Sequence, residues 1–349
     1  MIIPDTFSRI LISRLRFMGD VILTTPLLRQ LRARYPEAKI TYLTEDRFVP
    51  LLHNNPHIDE VMGIKLQRAY GESRRRMALE QAKFLYNLRR KKFDLAIDLF
   101  GNPRTALLSL LSGAGVRIGG DFRGRGLLYN LRVPLPDQRF DAIAFHQRSL
   151  EQLGITPADK KTELFLLPVE RDLARTYLQR KGLDPDAPII GLHPGATWPN
   201  KRWPAEYFSR LASELVDRGV QVYVTCGPGE QDIATTVAGG RIGPVVSGDV
   251  LPLRTLAAVI SHFKAMVSND CGVLHMSVAV ETPTAGIFGP GEPDIWFPYS
   301  EAEGHKAFFA DIDCRPCHKD FCPLNTLECM HKTTPEAVLA WLEQRMKTA

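Results

Sequence analysis

Short apolar runs alternate along the whole chain with stretches in which apolar residues recur every three or four positions. Residues 9–13, Arg-Ile-Leu-Ile-Ser, read as an opening strand. After a loop at 14–19, Val21, Leu23, Leu27, Leu28, Leu31 and Tyr35 follow helical spacing until Pro36 stops it. The same pattern predicts strands at 39–44, 61–65, 93–100 and 116–119, with helices at 48–54, 72–90 and 104–111. The Gly- and Arg-rich stretch 119–132 and the segment 134–141 read as loops. A helix at 146–153, a strand at 162–167 and a helix at 169–182 lead into a Pro-rich loop. Beyond it, strands are expected at 189–192, 221–225, 265–268 and 284–288. Helices are expected from Pro204, over 252–261, from Gly272 and over 335–346. Strands alternating with helices predict an α/β protein with parallel, doubly wound sheets. A chain of 349 residues exceeds one ordinary core, so two domains are expected, 1–166 and 167–349. The last helix carries Val338, Leu339, Trp341 and Leu342 on one side and is expected to pack back toward the domain junction.

Chemistry concentrates where predicted strands end. The segment 189–204, IIGLHPGATWPNKRWP, passes from an apolar strand through His193-Pro194-Gly195, Thr197, Lys201 and Arg202 to a helix start. Free N–H groups, the positive end of a helix dipole and two cations favour an anion there, phosphate above all. Neither GxxxxGK[ST] nor GxGxxG is present, so the segment alone names no enzyme. A second glycine turn, Cys226-Gly227-Pro228-Gly229-Glu230, offers Glu230 either as a helix cap or as an acceptor for a ribose hydroxyl. At a third junction Asp270, Cys271, Gly272 and His275 share one strand-to-helix turn, and Gly289–Pro293 closes a fourth. In the first half, Asp20 sits at a helix start beside the carboxyl end of the opening strand, where open α/β sheets bind ligands. A helix cap is the plainer reading of that carboxylate and a general base the sharper one.

Charge divides the chain. Residues 1–166 hold 27 Lys and Arg against 17 Asp and Glu, a net of +10, whereas residues 167–349 hold 17 against 22, a net of −5. Different partners are expected for the two halves. Basic clusters at Arg74-Arg75-Arg76, at 89–92 and around Arg117, Arg123 and Arg125 are either solvated helix faces or a rim for an anionic surface, such as phosphorylated lipid head groups. No helix-turn-helix, zinc-finger or RNP-type pattern points to nucleic acid. No apolar run approaches a membrane span, and the first residues lack a basic region followed by an apolar core, so a cytoplasmic location is expected.

The stretches FMGDVILTTPLLRQL, HPGATWPNKRWP, CGPGEQ and SNDCGVLHMSVAVETPTAGIFGP together resemble the ADP-heptose:lipopolysaccharide heptosyltransferases of glycosyltransferase family nine, in the right order over nearly the whole chain. The resemblance implies a GT-B fold, two Rossmann-like domains facing across a central cleft, with acceptor on the first and nucleotide-sugar on the second. It implies inverting, metal-independent transfer of heptose from ADP-L-glycero-D-manno-heptose to the Kdo/heptose inner core of lipopolysaccharide. Asp20 then matches the family's base and Lys201 the lysine that steadies the leaving diphosphate. Thr197, Glu230, Asp270, Cys271, Gly272 and His275 fall in the donor loops, and Arg74, Arg75 and Arg123 are candidates for acceptor contact. The acceptor implied is a phosphorylated Kdo-lipid A glycolipid, approached peripherally at the inner face of the cytoplasmic membrane. Cys271 departs from the family pattern, occupying a position usually held by a hydroxyl; a thiol is a weaker donor. Alternatives from the residues alone are a transferase for another nucleotide sugar or a protein acceptor, and a non-catalytic nucleotide-sugar binder.

Four of the six cysteines, Cys314, Cys317, Cys322 and Cys329, fall in the segment 314–329. The spacing CxxC-x4-C-x6-C leaves three readings open: structural zinc, a disulfide-stapled loop, and free thiols.

Overall fold

The computed structural model describes residues 3–66, 73–122, 124–134, 138–239 and 245–347. The chain divides into two compact units, Met1–Phe165 and Leu166–Ala349. The first contains β1 (Arg9–Ser13), β2 (Lys39–Glu45), β3 (Glu60–Ile64), β4 (Leu95–Asp98), β5 (Val116–Gly120) and β6 (Leu131–Val133). The second contains β7 (Ile189–His193), β8 (Gln221–Cys226), β9 (Val245–Val250), β10 (Ala265–Asn269), β11 (Thr284–Phe288) and β12 (Lys306–Phe309). The sheet orders are β3-β2-β1-β4-β5-β6 and β12-β11-β10-β7-β8-β9, and every pairing is parallel. Counted from its own first strand, each sheet has the order 3-2-1-4-5-6. The direction of winding therefore reverses between β1 and β4 and again between β7 and β10, and such reversals open a ligand crevice at the carboxyl ends of the strands.

Burial follows from that topology. Helices cover both faces of a parallel sheet, so central strands are apolar throughout rather than alternating. Accordingly, every residue of β7, β10 and β11 is buried. The core of the second unit joins Ile190, Leu192, Val222 and Val267 to Phe208, Leu211 and Leu215 of the Ala205–Asp217 helix. The helix Pro335–Lys347 adds Val338, Trp341 and Leu342 to this same core, with Trp341 edge-on to Phe308 of β12.

Three expectations change. The helical pattern through residue 35 is two helices, Met18–Leu23 and Thr25–Arg34, because Pro26 lacks the N–H that would carry one helix through. Thr24 stands at the break, and its hydroxyl donates to Val21 O at 2.7 Å. No strand forms at 162–167: Thr162 and Leu164 are buried, but the segment lies against the Thr25–Arg34 helix, with Glu163 N donating to Thr25 Oγ1 at 3.0 Å. The edge strands β6 and β9 carry no long continuous apolar run, and β12 only the short Ala307-Phe308-Phe309, so none of the three was expected.

Trp203 shows what the aromatic of the KRWP stretch is for. It is fully buried, edge-on to Phe208 at 4.9 Å, and donates from Nε1 to Thr333 O at 2.9 Å. Its backbone N–H donates to Asn269 Oδ1 at 3.0 Å. The residue ties the loop after β7 to the core and contacts no open surface. Trp203→Ala is expected to destabilise the protein by about 3–5 kcal/mol, with a smaller loss for Trp203→Phe, read from urea denaturation followed by circular dichroism.

Candidate active site

The second unit places Lys201, Asp270, Cys271, Gly272 and His275 around the β7/β10 switch point. Asn269, the last residue of β10, fastens the two loops together. Its side-chain amide donates to Pro194 O at 2.9 Å and to Gly195 O at 3.3 Å, while its oxygen accepts the Trp203 N–H. Fully buried and fully bonded, Asn269 fixes the loop that carries Lys201. Lys201 Nζ lies 2.6 Å from Asp270 Oδ2 and stands over the Trp198 ring. The carboxylate is almost wholly buried and the ammonium is more open. A diphosphate arriving here competes with Asp270 for that ammonium. The Gly272–Ala279 helix begins beside the pair with Cys271 as its N-cap, so its first N–H groups point out of the strand end. Gly291 brings the loop after β11 against Asp270, where a Cβ would stand 2.6 Å from Oδ2.

His275 is buried one turn into this helix, and its Nδ1 is 2.9 Å from Tyr299 OH. Burial first, and the Lys201 charge second, push its imidazole down to about 3, so it is neutral. Glu230 occupies the N-cap position of the Gln231–Ala238 helix, but its side chain makes no capping hydrogen bond. Its carboxylate folds back instead, accepting from Gly227 N at 2.8 Å and approaching His193 Nε2 at 3.8 Å. Gly195 is required by that path, since a Cβ there would meet the carboxylate at 2.1–2.4 Å. His193 Nδ1 lies 2.9 Å from Thr225 Oγ1. Burial opposes charge on both His193 and Cys271. Their pairing outweighs it, raising the imidazole and lowering the thiol, with Glu230 helping the first and Ser268, 3.5 Å from the sulfur, the second. Thr197 is exposed in the loop between β7 and Lys201.

In the first unit Asp20 lies in the first turn of the Met18–Leu23 helix and is buried. One oxygen accepts the Phe17 N–H at 2.8 Å, and the other is 2.7 Å from Arg14 Nη2. The cap and the candidate base are thus the same carboxylate, held on both oxygens with its lone pairs only partly used. Arg14 is itself fixed by Leu99 O at 2.8 Å and by stacking on Phe100. Arg74 and Arg75 are exposed at the start of the Arg74–Arg90 helix and, among the described residues, form no ion pair. Arg123 lies outside the described residues. Arg117 serves the fold, donating to Leu128 O and Ala114 O.

Cys314, Cys317, Cys322 and Cys329 are free thiols lining one cavity of about 30 Å³. Among the described residues no three His, Cys, Asp or Glu side chains converge as a metal site. The segment braces the loop after β11: Arg315 donates to Gly289 O at 2.8 Å and Gly291 O at 3.1 Å, and His318 Nε2 is 3.0 Å from Glu292 Oε2. Sequence reasoning gave no role to Arg14, Asn269, His193 or Arg315. His193, at the end of β7, and Asn269, next to Asp270, carried a positional signal.

Residues 81–328 match the model of glycosyltransferase family 9 (heptosyltransferase). The chain belongs to that family. The family 9 enzyme is 29% identical over 293 residues to lipopolysaccharide heptosyltransferase 3 of Escherichia coli, covering 82% of this chain and 85% of the relative. Among solved structures it is similar to a glycosyl transferase family 9 protein from Veillonella parvula, with TM-score 0.86, 25% identity and 98% of each chain covered. It is also similar to the E. coli heptosyltransferase WaaC with ADP, with TM-score 0.75, 24% identity, 97% of this chain and 99% of the other. The fold expectation holds: the glycosyltransferase has two Rossmann-like units of the GT-B class.

The neutral state of His275 carries a stability consequence. Its folded pKa lies below the ordinary value of 6.5, so the unfolded chain binds the proton first as pH falls. The contribution is whole above about pH 6.5 and is lost progressively from there down to about pH 3. Between pH 6.5 and 5 the family 9 enzyme should lose about 2 kcal/mol through this residue. Urea titrations of His275→Gln should show a correspondingly shallower pH dependence than the parent.

Proposed function

We propose that this family 9 enzyme is an inverting, metal-independent heptosyltransferase that moves heptose from ADP-L-glycero-D-manno-heptose onto the Kdo/heptose inner core of lipopolysaccharide. The observation that carries the reading is the Lys201–Asp270 pair at the start of the Gly272–Ala279 helix, at the β7/β10 switch point of a family 9 chain. That arrangement suits a diphosphate leaving group, and one structural neighbour was solved with ADP.

In the proposed step the acceptor oxygen bonds to the anomeric carbon from the face opposite the phosphate. The bond from that carbon to the phosphate oxygen breaks and ADP leaves with the electron pair. The hydroxyl proton passes to the Asp20 carboxylate. Negative charge grows on the diphosphate as the bond breaks, and Lys201 with the helix N–H groups meets it there. Those protein groups supply the charge that a metal supplies in other transferases. Asp20 suits the base because Arg14 and the Phe17 N–H hold it in place while leaving lone pairs open. Thr197, Glu230, Cys271 and His275 complete the donor side in this reading, Glu230 toward the ribose and His275 as a neutral support for the Lys201 loop. Arg74 and Arg75 suit an electrostatic approach to a phosphorylated glycolipid at the inner face of the cytoplasmic membrane. Among the described residues no helix is long and apolar enough to cross a membrane.

Asp20→Asn is expected to lower kcat by about 100-fold or more while ADP affinity, measured by calorimetry, stays within about threefold. Lys201→Met should weaken ADP binding and turnover together, by about tenfold or more each, since it removes a charge used by bound donor and leaving group alike. A clear preference for UDP over ADP in the same calorimeter, or undiminished turnover in Asp20→Asn, would overturn the proposal.

A further inference from the structure

The cysteine segment 314–329 has no part in the proposed reaction, yet its thiols share one space. Cys314, Cys317, Cys322 and Cys329 line a cavity of about 30 Å³ together with Asn200 and Arg315. All four are free; Cys314 is exposed and the other three are partly exposed. A space of that size holds about two waters, and so a two-oxygen molecule such as hydrogen peroxide, but no sugar or nucleotide. Asn200 is 3% exposed and its Oδ1 has no partner, so the wall offers an acceptor to an O–H donor.

The thiols are not equivalent. After Cys322 the chain curls back on itself, with Asn325 and Leu327 in the left-handed region at φ 52° and 48°, and Asn325 N donates to Cys322 O at 3.2 Å. That path turns backbone N–H groups toward the Cys322 sulfur, Leu327 above all, then Leu324, Thr326 and Asn325, and they hold its thiol below the ordinary value. Cys329 is the reverse case: burial first, and the three neighbouring thiols second, push it up. One wall of the cavity therefore carries a stabilised thiolate, a nucleophile, and another a thiol that keeps its proton.

The same segment holds both sides of the Lys201–Asp270 pair. Asn200, the residue before Lys201, donates from Nδ2 to Lys319 O. Arg315 donates to Gly289 O and Gly291 O, and Gly291 stands against Asp270. Closing a disulfide among thiols that are free here draws the segment together and carries Arg315 and Lys319 with it. We propose that 314–329 is a thiol modification site, at which peroxide oxidises Cys322, a second thiol of the cavity closes a disulfide onto it, and the closure weakens binding of the donor diphosphate. The last part rests on the reading that Lys201 and Asp270 receive that diphosphate. In the first step the Cys322 thiolate attacks one peroxide oxygen, the O–O bond breaks, and hydroxide leaves and takes a proton to become water. The sulfur, oxidised by two electrons, is then a sulfenic acid. In the second step another cavity sulfur attacks it, the S–S bond forms, the S–O bond breaks, and the departing hydroxide leaves as water with the attacking thiol's proton. A dithiol reductant reverses the change by thiol–disulfide exchange.

The test uses the full-length protein, fully reduced and then treated with hydrogen peroxide, with peptides mapped by mass spectrometry and ADP affinity followed by calorimetry. Wild type is expected to form a disulfide from Cys322 to another cysteine of 314–329 and to lose about fivefold or more in ADP affinity, with dithiothreitol restoring both. Cys322→Ser should bind ADP as the untreated parent does, form any disulfide in this segment about tenfold more slowly, and keep its ADP affinity within about twofold through the treatment. Iodoacetamide labelling of wild type needs no variant: Cys322 should react fastest of the four at about pH 7. Should Cys322→Ser fail to fold, that labelling order decides. Equal labelling of all four, a peroxide product without a disulfide in 314–329, an unchanged ADP affinity in oxidised wild type, or an equal loss in wild type and Cys322→Ser overturns the proposal. Release of one equivalent of zinc or iron from the untreated protein overturns it too, since the thiolates would then be metal ligands. ADP binding absent from untreated wild type counts against the donor reading alone, and the peptide map still decides the thiol chemistry.

Discussion

Each unit keeps a carboxylate and a cation in contact at the place where its sheet reverses direction, and the rest of the candidate site is arranged around these two pairs. Arg14–Asp20 closes to 2.7 Å beyond β1, and Lys201–Asp270 to 2.6 Å beyond β7 and β10. Strand ends at a switch point diverge, which leaves backbone N–H groups and polar side chains facing a crevice instead of a core. Charges placed there are partly desolvated, so each needs a counter-charge in the empty state. Both pairs meet that need.

The two pairs divide the labour in opposite senses. In the proposed reaction the carboxylate of the first pair is the working group and Arg14 the holder, anchored on Leu99 O and Phe100. In the same proposal the ammonium of the second pair is the working group and Asp270 the holder, backed by the close approach of Gly291. A proton acceptor for a nucleophile and a cation for a leaving group are the two things glycosyl transfer from a diphosphate needs. In the proposed reaction the same fold unit, used twice, would meet both needs by exchanging which member of the pair does the work.

How much of this was legible in the sequence follows from what each feature depends on. The central strands were readable because burial on both faces makes them continuous apolar runs, as in β7 and β11. The edge strand β6, three residues with one exposed arginine, offers no such run. The segment 162–167 alternates like a strand because it lies on a helix, and alternation records burial without recording the partner. Among site residues, Asp20, Lys201 and Asp270 announced themselves by lying at strand-to-helix junctions. Arg14 and Arg315 did not, since arginine beside a strand end is commonplace and their roles arise from loops remote in sequence. Trp203 carried a motif's signature but belongs to the core.

Cys271, expected from the family resemblance to be a hydroxyl residue, sits in surroundings that accommodate a thiol. A thiolate alone at a helix N-terminus would occupy the charge that a phosphate needs. Here His193 answers it, the imidazole rising and the thiol falling as they pair, so together they are close to neutral. The positive end of the Gly272–Ala279 helix therefore stays available, and in the proposed reading its backbone N–H groups would take the phosphate contact. His193 holds this arrangement because Thr225 fixes its other nitrogen and Glu230 lies 3.8 Å from its Nε2. The glutamate that was read as a cap or a ribose contact thereby faces the His193–Cys271 pair at the start of the Gly272–Ala279 helix.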